Sequence, residues 1–255
     1  IIGNGCDTIT YVSHYTRNRI SRALGQHPRL IWLPSGVDTT RFHPNPDGRE
    51  FIRERHHIRP HIPVIACISR LVPRKGQDTL IRALPTILAK EPEALLLIVG
   101  GGPSSDHLHT LARNLGVNDH VIFTHLVPDE DLPLYYAAAD VFAMPCRTRG
   151  HGLDVEGLGI VFLEASATGI PVLVGNSGGA PETVHDGVTG VVVDGRDTEQ
   201  VATELLRFLA SRERRTSFGK DGRAWMLSTW QWSVLGQKLR SILDGDAADS
   251  TQEGE

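Results

Sequence analysis

Two carboxylates, Glu156 and Glu164, bracket the run Glu156-Gly157-Leu158-Gly159-Ile160-Val161-Phe162-Leu163-Glu164. The Gly-x-Gly turn, then β-branched Ile160 and Val161, small residues to Gly169 and finally Pro171, predict a helix that opens at the glycines. The opening end of a helix carries unpaired N–H groups and the positive pole of the dipole, a natural seat for phosphate. Gly157 and Gly159 carry no side chain to hold a ligand off the backbone. On this reading Glu156 lies at the mouth of the helix and Glu164 about two turns in. Both are then available as hydroxyl acceptors. The plain alternative is a pair of solvated acids at an ordinary helix start.

Other groups have the same flavour. Ser69-Arg70-Leu71-Val72-Pro73-Arg74-Lys75-Gly76 follows an apolar strand and precedes a helix, so Arg70 and Lys75 can both turn over a diphosphate, the first as a planar fork and the second as a point charge. Val99-Gly100-Gly101-Gly102-Pro103 fits neither a dinucleotide fingerprint, whose third glycine would fall at Ser105, nor a P-loop; it permits close backbone approach to a base or phosphate. Leu126-Val127-Pro128-Asp129-Glu130 can offer backbone groups and Asp129 to a purine edge, or serve only as an acidic helix start. A long glycine-rich loop from Pro145 to Asp154 leads into the Glu156 run, and Ser177-Gly178-Gly179-Ala180-Pro181-Glu182 closes the next strand. His56, His57 and His61 are interrupted by Pro60 and Pro63, and His107 and His109 point to opposite sides of an element at that spacing, so no metal site is expected. With no Gly-x-Ser-x-Gly elbow, a triad hydrolase is not expected either.

The elements that must position these loops are regular. Val64–Ser69, Leu95–Val99, Val121–Phe123, Val141–Ala143, Val172–Val174 and Val191–Val193 are near-continuous apolar runs too short for helices. Between most of them lie helical stretches, Thr79–Lys90, Leu108–Leu115, Asp131–Ala139 and Gly159–Thr168. Strands buried on both faces with helices between them predict an α/β fold, a Rossmann-like doubly wound parallel sheet with ligands at the carboxyl ends of its strands. Upstream, Asp7–Val12 and Leu30–Leu33 read as strands and Thr16–Leu24 as a helix; Pro34, Pro44, Pro46 and Gly48 punctuate a linker. Downstream, Asp197–Ala210 reads as a helix, and Trp230-Gln231-Trp232 opens a last one to about Leu243. The expected organisation is residues 1–46 as the end of a preceding domain plus linker, 47–227 as the ligand-binding sheet domain, and 228–255 as a final helix and an acidic, disordered tail.

Composition narrows the classes. A formal charge of −4 over 255 residues argues against coating a nucleic acid. Cys6, Cys67 and Cys146 have no metal or disulfide spacing, which fits a reducing cytoplasm. There is no apolar run of eighteen residues. Arg17, Arg19 and Arg22 offer either contact with acidic lipid or a solvated helix face. The chain opens on Ile1-Ile2-Gly3 without an initiator Met, and is expected to start in mid-protein.

Arg70 with Lys75, the Gly100 loop, the two glutamates and Ser177-Gly-Gly-Ala-Pro-Glu182, in this order on one doubly wound sheet, resemble the C-terminal half of a GT-B glycosyltransferase of the retaining family-four class with its E-x7-E signature. The resemblance runs from about Asp7 to Leu243, and the run from Arg147 to Val161 is similar to actinobacterial GDP-mannose-dependent phosphatidylinositol mannoside mannosyltransferases, with His151 where that pattern has glycine. The resemblance implies that Arg70 and Lys75 neutralise the diphosphate in place of a metal, so that no cofactor is needed and GDP-mannose is the donor substrate. The amides of Gly157, Leu158, Gly159 and Ile160 would add dipolar stabilisation. Glu156 would bind donor-sugar hydroxyls near the reacting carbon, and Glu164 the ribose diol. Val127 and Asp129 would contact the base, and Gly100 and Gly101 would pass close to the nucleotide. The acceptor site and a catalytic histidine belong, in the family, to the N-terminal domain. Of that domain the chain would carry only the strand and helix within Asp7–Leu24 and the linker through Pro46, so the isolated chain is expected to bind donor weakly and transfer poorly. The implied partners are a nucleotide-sugar donor and a lipid or glycolipid acceptor, with peripheral contact at the inner face of the plasma membrane and no nucleic acid. Two alternatives stay open: another nucleotide sugar as donor, or a non-catalytic nucleotide-sugar-binding module working with a separate N-terminal subunit.

Overall fold

A computed structural model describes residues 5–24 and 29–245. The acidic tail predicted to be disordered lies, from residue 246 onward, outside the described residues, as do residues 1–4.

The chain opens with strand β1 (Ile9–Tyr11), helix α1 (His14–Leu24) and strand β2 (Leu30–Trp32), and the two strands pair in parallel. Helix α2 (Pro46–Arg55) follows. Six parallel strands then form the sheet that carries the core: β3 (Val64–Ile68), β4 (Leu95–Val99), β5 (Val121–Phe123), β6 (Val141–Met144), β7 (Val172–Gly175) and β8 (Gly190–Val193). Their order is β5-β4-β3-β6-β7-β8. Every residue of β3, β6 and β7 is buried, which is why these strands read as unbroken apolar runs rather than alternating ones. Strand order reverses between β3 and β6, and in such sheets ligands bind in the crevice outside the carboxyl ends at that point.

The connecting helices are α3 (Gln77–Leu88), α4 (Ser105–Asn114), α5 (Leu132–Ala138) and α6 (Ile160–Ala167), within two or three residues of the expected bounds. Helices α7 (Thr198–Ala210) and α8 (Arg212–Trp225), a π turn over Met226–Trp230 and helix α9 (Trp232–Leu243) complete the chain. The Trp230 ring sits edge-on to Trp32 at 5.4 Å and to Trp225 at 5.5 Å, Val37 donates to the Trp230 carbonyl (2.9 Å), and Lys238 of α9 lies over the Trp32 ring. The π turn and helix α9 thus pack back on the β1–β2 unit. Among the described residues no helix is long and apolar enough to cross a membrane.

One expectation is corrected. The linker punctuated by Pro44, Pro46 and Gly48 is helical from Pro46 on, because Asn45 caps it by accepting from the Gly48 amide (2.8 Å) and Pro46 takes a first-turn position where no amide is needed. Helix α2 docks through two arginines. Arg53, only 4% exposed, donates to the carbonyls of Ala138, Pro60 and Ile62 and pairs with Asp140 (2.9 Å), while Arg49 reaches Ala139 O and the other Asp140 oxygen (2.7 Å). They satisfy the open carbonyls at the end of α5 and tie α2 to the sheet.

Candidate functional site

The glycine turn before α6 is as anticipated, with one difference in phase. Gly159 is left-handed (φ 94°), and a Cβ there would lie 2.6 Å from the Phe162 ring, so helical geometry begins only at Ile160 and Glu164 sits one turn inside α6 rather than two. Among the described residues, the N–H groups of Gly157, Leu158 and Gly159 meet no acceptor, and a Cβ on Gly157 would have nothing within 4 Å. Unpaired amides ahead of a helix N-terminus form an anion-receiving surface. The backbone just before them is fixed firmly. The Glu156 amide donates to Ser177 Oγ (3.3 Å), its carbonyl accepts from Gly179 (3.0 Å), and the Gly157 carbonyl accepts from Ser13 Oγ (2.8 Å). Gly178 (φ 59°) is required at this crossing, since a Cβ would fall 2.0 Å from the Glu156 carbonyl.

The Glu156 carboxylate is held by Lys75, with Nζ 2.6 Å from Oε2 and both side chains about nine-tenths buried (10% and 11% exposed). Arg74 approaches the same oxygen through Nε at 3.8 Å and Asp154 through Nη1 at 3.4 Å; its Nε is buried with no hydrogen-bond partner. Sequence reading passed over Arg74 in favour of its neighbours. Arg147 organises the strand-end loops: its Nη2 bridges both Asp78 oxygens (2.8 Å each), Nη1 donates to Thr79 Oγ1, and its amide donates to the Arg74 carbonyl.

Arg70 is exposed and lines a second part of the site. This is a cleft of about 560 Å³ at the ends of β3, β4 and β5, lined by Ser69, Arg70, Gly100, Gly101, Gly102, Leu126, Val127, Leu132, Tyr136, Val161 and Glu164. Gly100 (φ 133°) is what lets the β4 loop pass β3, because a Cβ would meet the Ser69 carbonyl at 2.2 Å. Glu164 accepts from the Tyr136 hydroxyl (2.6 Å). Burial pushes its carboxyl above the ordinary value, against the Tyr136 hydrogen bond and the nearby Arg41, which both pull it down. Tyr136 is on α5, 28 residues earlier, and no local pattern announces the pair. Val127 lines the cleft. Asp129 is not among the lining residues; its carboxylate is largely exposed and pairs with Arg41 (2.8 Å).

Cys67 and Cys146 are buried free thiols, each pushed up to about 12 by burial, and Cys6 is exposed. Among the described residues no three His, Cys, Asp or Glu side chains converge on a metal position. His56 hydrogen-bonds Tyr135 and His109 packs on Phe123.

The site therefore joins an apolar cleft suited to a flat ring, a row of open amides with lysine and arginine nearby for an anion, and two glutamates, one buried and one half-buried, for hydroxyls. Comparison with known proteins gives the family. The family model described as "Glycosyl transferases group 1" matches residues 48–225. A GDP-mannose-dependent alpha-(1-6)-phosphatidylinositol monomannoside mannosyltransferase of Mycolicibacterium smegmatis is 55% identical over 244 residues, 96% of this chain and 64% of that protein. The Mycobacterium tuberculosis protein of the same name is 53% identical over 97% of this chain and 64% of its own length. The chain thus spans 64% of the length of these curated relatives. Among solved structures, Anabaena HepE in complex with UDP superimposes with a TM-score of 0.84 at 22% identity, covering 94% of this chain and 64% of that one, which establishes the same GT-B fold. The sheet order, the loops at its carboxyl edge and these matches agree, and the chain belongs to the group 1 glycosyl transferases.

Proposed function

We propose that this chain is the donor-binding part of a retaining mannosyltransferase that moves mannose from GDP-mannose to a phosphatidylinositol mannoside or similar lipid acceptor. The observation that carries the reading is the open row of amides at Gly157, Leu158 and Gly159 between Glu156 and Glu164, with Lys75 on Glu156. The names of the mycobacterial relatives supply the donor and acceptor class. The donor's base would enter the cleft beside Gly100, Gly101 and Val127, its ribose diol would reach the free oxygen of Glu164, and its diphosphate would lie over the amides. Charge developing on the departing diphosphate meets preorganised N–H groups, Arg70 and Lys75, and no divalent metal is needed for that task. Lys75 is already neutralised by Glu156, so the donor takes over the ammonium and frees the carboxylate for the sugar hydroxyls. The acceptor would be held by the part of the relatives that lies outside the aligned region, with the reaction at a peripheral membrane site in the cytoplasm. Thermal stabilisation by GDP, UDP, ADP and GDP-mannose tests the donor assignment: ligand at a hundredfold over its Kd adds about 2.7 kcal/mol. Response to GDP and GDP-mannose is expected. No response to any nucleotide refutes the assignment, and response to UDP alone moves the donor elsewhere.

A further inference from the structure

The first turn of α1 is anchored from far along the chain. Ser13, fully buried, donates its hydroxyl proton to the Gly157 carbonyl (2.8 Å), and the same oxygen accepts the Thr16 amide (3.2 Å) as the helix cap. A hydroxyl has one proton, so in the remaining 2.8 Å contact Thr16 Oγ1 must be the donor. The two amides before Thr16 go to Glu182: His14 N at 2.7 Å and Tyr15 N at 3.0 Å, with the His14 ring Nδ1 at 2.9 Å. Glu182 thus fixes the helix, and Ser13 is left to reach across to the donor turn.

The Gly157 carbonyl and the Leu158 amide belong to one planar trans peptide, so their dipoles point in opposite directions. Holding the oxygen towards Ser13 turns the Leu158 N–H away from α1, and that N–H is one of the amides with no acceptor among the described residues. On the reading of this turn as the diphosphate seat, we infer that Ser13 is a positioning residue: its hydrogen bond sets the rotation of the 157–158 peptide and aims the Leu158 amide at the donor's phosphates. It touches no substrate and acts through the peptide. A helix of the unit that precedes the sheet domain therefore orients a group in the donor site.

Calorimetric titration of GDP and of guanosine into the 255-residue chain tests this. Losing the aim of one amide weakens GDP in Ser13→Ala by roughly two- to tenfold and leaves guanosine, which has no phosphate, unchanged. Ser13→Cys keeps the volume with a weaker donor and falls between Ala and wild type; it carries the same comparison if the Ala variant does not fold. Glu182→Gln loosens the helix anchor, lowers Tm and keeps the wild-type preference for GDP over guanosine. Unchanged GDP affinity in Ser13→Ala, or an equal loss for GDP and guanosine, overturns the inference while the donor reading stands. A Glu182→Gln loss of GDP matching that of Ser13→Ala also overturns it, because helix docking as a whole would then be responsible. A wild-type chain that binds no GDP overturns the donor reading and the inference together.

Discussion

Glu156→Ala leaves the Lys75 ammonium buried without its partner. Breaking a buried pair from one side costs about 3–5 kcal/mol, because the remaining charge stays desolvated and unpaired. Here each side chain keeps about a tenth of its surface exposed, so the low end, about 3 kcal/mol, is expected. For a chain of this size each kcal/mol moves Tm by roughly 2–4 °C, which puts the fall at about 6–12 °C. The double variant Lys75→Met with Glu156→Leu removes both charges at similar volume and recovers most of the loss. The less obvious consequence concerns ligand. In the wild type a diphosphate must draw Lys75 away from a carboxylate 2.6 Å distant, and in Glu156→Ala it meets a lysine with no carboxylate partner. At equal GDP concentration the variant therefore gains more stability than the wild type, although transfer is lost with the sugar-binding carboxylate. Thermal ramps with and without GDP measure both effects. A Tm within 2 °C of wild type, or a smaller GDP shift in the variant, would refute the reasoning.

Three more expectations follow from the same geometry. The raised pKa of Glu164 means that its proton is held more tightly in the folded chain; the resulting stabilisation is full below the ordinary value of 4.5 and disappears as pH rises through the folded value. Wild type should accordingly lose stability relative to Glu164→Gln over that rise, and urea midpoints below pH 4.5 and at neutrality read the difference; a pH-independent difference contradicts it. Gly100→Ala forces a Cβ to 2.2 Å from the Ser69 carbonyl at a φ of 133° and should lower Tm strongly, whereas Gly157→Ala, with open space around it, should keep Tm and reduce GDP affinity. Arg53→Ala removes a buried guanidinium that serves three carbonyls and one oxygen of Asp140, whose other oxygen keeps Arg49, and should cost about 3 kcal/mol in a denaturant titration, more than Arg49→Ala, whose side chain is 32% exposed.

From Val64 onward the architecture was legible because strands buried on both faces leave uninterrupted apolar runs, and the chemistry at their ends stands in short contiguous motifs. Helix α2 was hidden for a definite reason. Its most buried long side chain besides Ile52 is Arg53, so the apolar stripe that betrays a helix is replaced by a cation whose partners include the Ala138 carbonyl 85 residues away. The signal that was present, Asn45 followed by Pro46, is a cap and first-turn pair that also reads as a turn. Tyr136 on Glu164, Arg41 on Asp129 and Ser13 on Gly157 are partnerships of 28, 88 and 144 residues' separation, set by strand order rather than by any local pattern. Lys75 and Glu156 were each visible as candidates, but their mutual pairing required the fold.

The Glu182 cap on α1 also constrains the order in which the molecule can be made. An 11-residue helix with no acid in its own first turn is marginal alone, and the carboxylate that receives its leading amides lies 168 positions later. At ribosomal speeds of 5–20 residues per second, that carboxylate emerges roughly ten to thirty seconds after the helix it anchors. During synthesis α1 and its arginines must wait in an unanchored state until β7 and its loop have been delivered, so the preceding unit completes its contact face only after most of the sheet domain exists.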